Sequence, residues 1–175
     1  VMGEFMAASL LYRSDWYKKL RASFEDESVE APTLLDPFCG SGTICIEAAL
    51  MASNTAPGLL KADSFAFTKL PIHKPELWDQ VKTEAQNAQR ECKCRIIGWD
   101  IDPRAVEISN SNAFAADVTD MVEFEVRDFT KTTREDVPSQ TGYIVTDPPY
   151  GVRLDSGSAA IRRLYTMFVE RKSVV

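Results

Sequence analysis

The stretch GYIVTDPPYG, residues 142–151, carries Asp147, Pro148, Pro149 and Tyr150, the most specific chemical signal in the chain. Two consecutive prolines directly after an apolar strand remove two amide donors and stiffen the backbone. The local carbonyls are then left outside the sheet ladder, free to accept hydrogen bonds. The Asp147 carboxylate and the Pro148 carbonyl can each take one hydrogen of an exocyclic amino group, and Tyr150 offers a face on which a base can stack. The plainer reading, an aromatic-capped loop, fits the strand context and the upstream signals less well.

Those upstream signals are glycines and acids. Gly40 and Gly42 flank Ser41 between an apolar run and a helical pattern; without a Cβ they admit positive φ and close approach of a ligand. The helix that follows opens with free amide donors. A bare tight turn is the competing reading. GSGT is neither GxGxxG nor a Walker loop, since no Lys follows Gly42, which argues against a triphosphate site. Asp100 ends RIIGWD and could accept both hydroxyls of a ribose, yet it lies 58 residues beyond Gly42 rather than about 20. Residues 54–94 must therefore leave the sheet and return. Asp102, before Pro103, reads as a helix cap. Asp128 could accept from an adenine amino group, or be an ordinary strand-end acid.

Positioning these residues takes alternating strands and helices, an α/β pattern. TLLDPF (33–38) predicts the first strand, stopped by the glycine turn, with a helix from Thr43. RIIGWDID (95–102) predicts the second, followed by a helix to about Ala115. VEFEVRD (122–128) predicts a third and GYIVTDPPYG a fourth, ended by prolines. Residues 2–20 place Met2, Phe5, Met6, Leu10 and Leu11 at helical spacing, 21–32 read as an acidic loop, and 76–91 as an exposed helix. Every marked residue falls at the carboxyl end of a strand, where ligands gather in an open parallel sheet.

Composition sets the outer limits. The 175 residues allow one domain. Lys and Arg total 20 against 26 Asp and Glu, a net charge of −6, which is the wrong sign for gripping nucleic acid by bulk electrostatics. Only residues 151–175 are locally basic, with Arg153, Arg162, Arg163, Arg171 and Lys172 against Asp155 and Glu170. The four cysteines, Cys39, Cys45, Cys92 and Cys94, support neither a disulfide framework nor a zinc site, and His73 has no ligand-spaced partner, so no metal is expected. No apolar run reaches the ~18 residues of a membrane span, and no leader is recognisable at the start. A cytoplasmic protein without membrane contact is the expectation.

LDPFCGSGT, GWDID, VRDF and TDPPYG, in that order, resemble the S-adenosylmethionine site and the [DN]PP[YFW] motif of class I amino-methyltransferases. Over residues 5–165, including the 54–94 insertion that ends in HKPELWDQVKTEAQ, the chain is similar to a THUMP-associated family, in particular the N-terminal methyltransferase half of bacterial 23S ribosomal RNA guanine-2-amino methyltransferases. The resemblance implies a Rossmann-like sheet, here cut short after the fourth strand because only about 25 residues follow TDPPYG. It implies that Asp36, Phe38, Cys39, Gly40, Ser41, Gly42 and Thr43 hold the methionine part of S-adenosylmethionine. Asp100 would take its ribose, Ile101 would pack on its adenine, and Asp128 and Phe129 would lie at the far edge.

Asp147, Pro148, Pro149 and Tyr150 would then carry direct transfer of the methyl to a base amine, with no part for Cys39 or Cys45 as nucleophile. The implied partners are RNA, ribosomal in first place, and a covalently joined THUMP domain that supplies most of the RNA grip. One departure bears on the base: relatives usually read NPPYG, while TDPPYG also occurs in tRNA guanine and DNA adenine methyltransferases. The rival expectation is a catalytically silent cofactor-binding piece of a longer protein. A nicotinamide dehydrogenase lacks its GxGxxG here.

Overall fold

The computed structural model describes residues 2–132, 136 and 142–148. The described strands are β1 (Leu34–Asp36), β2 (Ile96–Asp100), β3 (Glu123–Val126) and β4 (Tyr143–Ile144). They form one parallel sheet in the order β3-β2-β1-β4. β1 is therefore central: the chain builds outward through β2 and β3 on one side, then returns to place β4 on the other. The carboxyl ends of β1 and β4 mark the point where the winding reverses, the crevice in which doubly wound sheets bind ligands.

Five α-helices accompany the described strands: α1 (Glu4–Arg13), α2 (Asp15–Glu25), α3 (Thr43–Ala52), α4 (Pro75–Asn87) and α5 (Pro103–Ala115). α3 is apolar almost all round, as a helix buried on several sides must be; Ile44, Cys45, Ala48, Ala49, Leu50 and Ala52 are buried between α1, the sheet and α5. Residues 54–94 leave from the end of α3 and return to β2. The base of this excursion is closed by Asn54 Nδ2 donating to Ala88 O at 2.8 Å and by Arg90 N donating to Ser53 O at 2.8 Å.

Side chains alternate across the sheet as strand geometry requires. Leu34 and Ile96 point into the larger core with α1, α2 and α3. Leu35, Ile97 and Trp99 point the other way, against Phe129, Phe38 and Ile144. Gly98 faces Phe124 across the β2–β3 ladder, and a Cβ at Gly98 would stand 2.6 Å from the Phe124 ring and 2.9 Å from Cys39 Cβ. That ring occupies the space the glycine leaves.

The N-terminal segment departs from the single helix expected over 2–20. Ser14 adopts an extended conformation and breaks it in two: its hydroxyl donates to Leu11 O at 2.7 Å and accepts from Tyr17 N at 3.4 Å, capping α2. α2 then runs to Glu25, into the residues read as loop. The buried stripe is also different, because α1 packs on α3 through small Ala7 and through Leu11; Phe5, 90% exposed, and Met6, 60% exposed, face outward. Among the described residues no helix is long and apolar enough to cross a membrane.

Candidate active site

The site begins with a turn that only glycine builds cheaply. After β1, Cys39 N donates to Trp99 O at 2.8 Å and Gly42 N to Cys39 O at 2.8 Å. Gly40 has φ +54° and Gly42 φ +80°, values that cost an L-residue conformational energy. A Cβ on Gly42 would in addition meet the Phe124 ring at 2.8 Å and Ser109 Cβ at 2.9 Å, while the space over Gly40 is open to 4 Å. α5 steadies the turn from outside, with Asn112 Nδ2 donating to Ser41 O at 2.9 Å. Ser41 Oγ and Thr43 Oγ1 lie 3.1 Å apart.

Asp100, at the end of the neighbouring strand, reaches this turn. Its Oδ2 accepts Gly40 N at 3.0 Å and its Oδ1 accepts Asp102 N at 2.9 Å. Two backbone amides thus hold the carboxylate, and each oxygen keeps acceptor capacity for a ligand hydroxyl. Ile101 follows with its side chain 67% exposed, an apolar surface beside that acid. Asp102 caps α5 by accepting Arg104 N at 3.0 Å, and that amide holds its carboxyl below the usual range.

Asp36, at the end of β1, is 1% exposed. Its Oδ1 accepts the Thr146 hydroxyl at 2.6 Å and Phe38 N at 3.2 Å. Burial pushes its pKa up to about 7; the two hydrogen bonds oppose the shift, and the charges of Asp100 and Asp147 add to it. The segment after β4 arrives there because Val145 N donates to Leu35 O at 3.2 Å. Asp147 follows, exposed, and then Pro148, half-buried. Pro149 and Tyr150 lie outside the described residues.

Asp128 and Phe129 stand one strand beyond Asp100, at the end of β3. Asp128 caps a 3-10 turn, Phe129–Lys131, its Oδ1 accepting Thr130 Oγ1 at 2.6 Å and Thr130 N at 2.9 Å, and these bonds hold its carboxyl below the ordinary range. Phe129 is 6% exposed, its ring edge-on to Phe38 with centroids 5.5 Å apart. Its ring belongs to the core beneath the site, and its neighbour Phe38 ties that core to the turn. Burial, with help from Asp36 and Asp100, pushes the Cys39 thiol up, and burial does the same to Cys45; both are protonated at neutral pH, the opposite of a nucleophilic cysteine.

Sequence reasoning missed three residues here: Thr146, Gly98 and Phe124. A glycine inside the strand pattern IIGWD signals a close approach and could have directed attention to Gly98. No spacing links Thr146 to Asp36, since the bond spans 110 positions.

A parallel 3-2-1-4 arrangement of the described strands, a glycine turn after the first strand and acids at the first two strand ends define a Rossmann-like domain, and its solved structural neighbours are class I methyltransferases. The chain belongs to the RMKL-like methyltransferase domain family, matched over residues 2–174, an S-adenosylmethionine-dependent family. The ribosomal RNA large subunit methyltransferase K/L of Shewanella woodyi is 39% identical over 168 residues, 94% of this chain and 22% of that protein. The crystal structure of SMU.472 complexed with SAH superposes with a TM-score of 0.78 at 32% identity, over 94% of this chain and 39% of that one. A Listeria monocytogenes protein described as a predicted N6-adenine-specific DNA methylase gives a TM-score of 0.78 at 32% identity, over 98% of this chain and 41% of that one. The chain thus spans about a fifth of the length of the curated relative.

Proposed function

We propose that this chain is the domain that methylates an exocyclic amino group of an RNA base, using S-adenosylmethionine, with the guanine 2-amino group of 23S ribosomal RNA as its target. The observation that carries the reading is the junction itself: the Gly40 amide on Asp100, 60 positions away, beside Asp36 and the strand that delivers Asp147. The residues fit the cofactor. Open space over Gly40, unspent acceptor capacity on Asp100 and the bare side chain of Ile101 suit the methionine part, the ribose hydroxyls and the adenine respectively. Asp36, Phe38, Cys39, Ser41, Gly42 and Thr43 complete the turn, and Asp128 and Phe129 would lie at the far edge of the adenine. S-adenosylmethionine supplies a methyl group made electrophilic by its sulfonium.

An aromatic amine is a poor nucleophile because its lone pair is delocalised into the ring. The Asp147 carboxylate and the Pro148 carbonyl would each hold one of its hydrogens, so that the nitrogen can pyramidalise toward the methyl, and the proton the nitrogen sheds would leave by way of the Asp147 carboxylate to solvent. The gain comes from orientation and fixed acceptors. Tyr150 stacks on the extruded base and offsets part of the cost of leaving the helix, about 1–3 kcal/mol. Pro149, with its ring-locked φ, would stiffen the link between them. RNA affinity resides mainly outside this acidic domain, in a joined RNA-binding domain of the THUMP kind.

Asp147→Ala tests the assignment. Calorimetry with S-adenosylmethionine should show binding within about twofold of wild type, while methyl transfer to naked ribosomal RNA falls at least about 100-fold. Unchanged transfer would sink the role of Asp147, and a wild-type protein that binds cofactor but methylates no nucleic acid would favour a silent module.

A second reading has a specific observation behind it: the Listeria relative's description as an adenine DNA methylase, together with a TDPPYG motif. Mass spectrometry of digested ribosomal RNA, transfer RNA and DNA from cells lacking the protein distinguishes them. Loss of 2-amino-methylguanosine from ribosomal RNA supports the first, and loss of N6-methyladenine from DNA supports the second.

A further inference from the structure

We infer that Thr146 is a positioning residue, whose hydroxyl couples the buried acid at the end of β1 to the strand end that presents Asp147 and Pro148. The inference rests on the methyl-transfer reading for its consequence, though not for its geometry. β4 is short, and its ladder with β1 carries as far as Val145 N on Leu35 O at 3.2 Å. Past that point the contact between the strands is continued by a side chain, Thr146 Oγ1 donating to Asp36 Oδ1 at 2.6 Å. The next residues are Asp147 and two prolines, and a proline has no amide with which to extend a ladder. The backbone direction that aims the Asp147 carboxylate and the Pro148 carbonyl is thus set one residue upstream.

The same bond acts on Asp36. Its carboxyl is sealed from solvent and faces Asp100 from β2, Asp147 beyond β4, and the thiols of Cys39 and Cys45. None of these neighbours is a cation, so the hydrogen bonds from Phe38 N and Thr146 Oγ1 are what favour the ionised form. When the Asp36 carboxyl is ionised, this 2.6 Å bond is charge-assisted. Removing the hydroxyl makes Asp36 harder to ionise and unties the catalytic strand end in one step.

Two substitutions separate this from a merely structural effect. Thr146→Val keeps the shape and deletes the donor, whereas Thr146→Ser keeps the donor. In Thr146→Val, the Asp36 carboxyl followed by carbon-13 NMR should titrate about one pH unit higher than in wild type. Thr146→Ser should restore the wild-type titration. In the methyl-transfer assay, kcat of Thr146→Val should fall about tenfold with KM for RNA within twofold, again restored by serine. An Asp36 titration unmoved in Thr146→Val, or a serine variant that behaves like valine, overturns the inference. That readout needs neither cofactor nor RNA, so failure of the wild type to bind S-adenosylmethionine would instead count against the proposed function alone. If Thr146→Val does not fold, Thr146→Ser against Thr146→Ala decides by the same titration.

Discussion

The two halves of the site are built to different standards. At the ends of β1 and β2 the backbone does the work: two amides grip Asp100, a positive-φ turn is locked by its own hydrogen bond, and the Phe124 ring fills the space left by Gly42 and Gly98. At the end of β4 a two-residue strand leads to Asp147, exposed; its backbone ladder with β1 ends at Val145 N on Leu35 O, and among the described residues the Thr146 hydroxyl continues the contact. The half assigned to the cofactor is held by backbone amides, and in the half assigned to the amine a side-chain hydroxyl takes over where the backbone ladder ends. Both halves gain from groups held in place before the reaction: a rigid cradle for a cofactor, and oriented acceptors for the proposed amine. Asp36 sits on the seam between the two.

The largest expected effect comes from that seam. The folded state raises the Asp36 pKa from 3.8 to about 7, so between those values the native protein keeps a proton that the unfolded chain has released. Stability contributed by this group is therefore greatest below about pH 4 and is lost as pH rises to about 7, beyond which the penalty is constant. Its size is on the order of a few kcal/mol. Urea midpoints measured from pH 5 to pH 8 should fall through this range, and Asp36→Asn should flatten the fall and exceed wild type at pH 8. A variant with the wild-type slope would show that Asp36 is not the group responsible.

Gly98→Ala challenges only the half assigned to the cofactor. The added methyl meets the Phe124 ring at 2.6 Å and Cys39 Cβ at 2.9 Å, and neither neighbour is the free end of a flexible chain. Overpacking of this kind costs about 1–3 kcal/mol. Thermal melts should show the loss, and Gly98→Ala combined with Phe124→Leu should recover part of it, because the smaller side chain vacates the contested space. Wild-type stability in the single variant would mean that the turn and the strand have room to move apart, and the contrast between the halves would weaken.

How much of this was legible follows from the same contrast. The half assigned to the cofactor could be read because its chemistry restricts residue type locally: a strand-to-helix turn with positive φ calls for Gly40 and Gly42, and a strand-end acid before an Asp-Pro cap announces β2 and α5. The fold class followed from those alternations. What could not be read depends on register and packing between distant segments. Thr146 reaches Asp36 only because β4 lies beside β1, and Phe124 fills Gly98 only because β2 and β3 pair in one register. α1 misled for a related reason: Phe5 and Met6 have helical spacing, but a close helix–helix contact selects the small Ala7 face instead. Ser14 could equally continue or cap a helix, and its neighbours decided.

The smallest expected effect lies farthest from the seam. The sequence allows Asp128 to touch a ligand base, and in the structure its Oδ1 accepts Thr130 N and Thr130 Oγ1, while Lys131 Nζ lies 3.5 Å from Oδ2. Because the hydrogen bonds depress its pKa, its stabilising share is present at neutral pH and is lost as pH falls through its native pKa, below the ordinary carboxylate value. Asp128→Ala should cost about 1 kcal/mol, the worth of a cap, and Asp128→Asn, which can still accept both bonds, should cost less. Cofactor affinity then discriminates between roles. If Asp128 only caps its turn, Asn binds S-adenosylmethionine like wild type and Ala weakens it by no more than about twofold; if its carboxylate also accepts the adenine amine, both variants lose affinity and Ala loses more. The second outcome would extend the half of the site assigned to the cofactor by one strand.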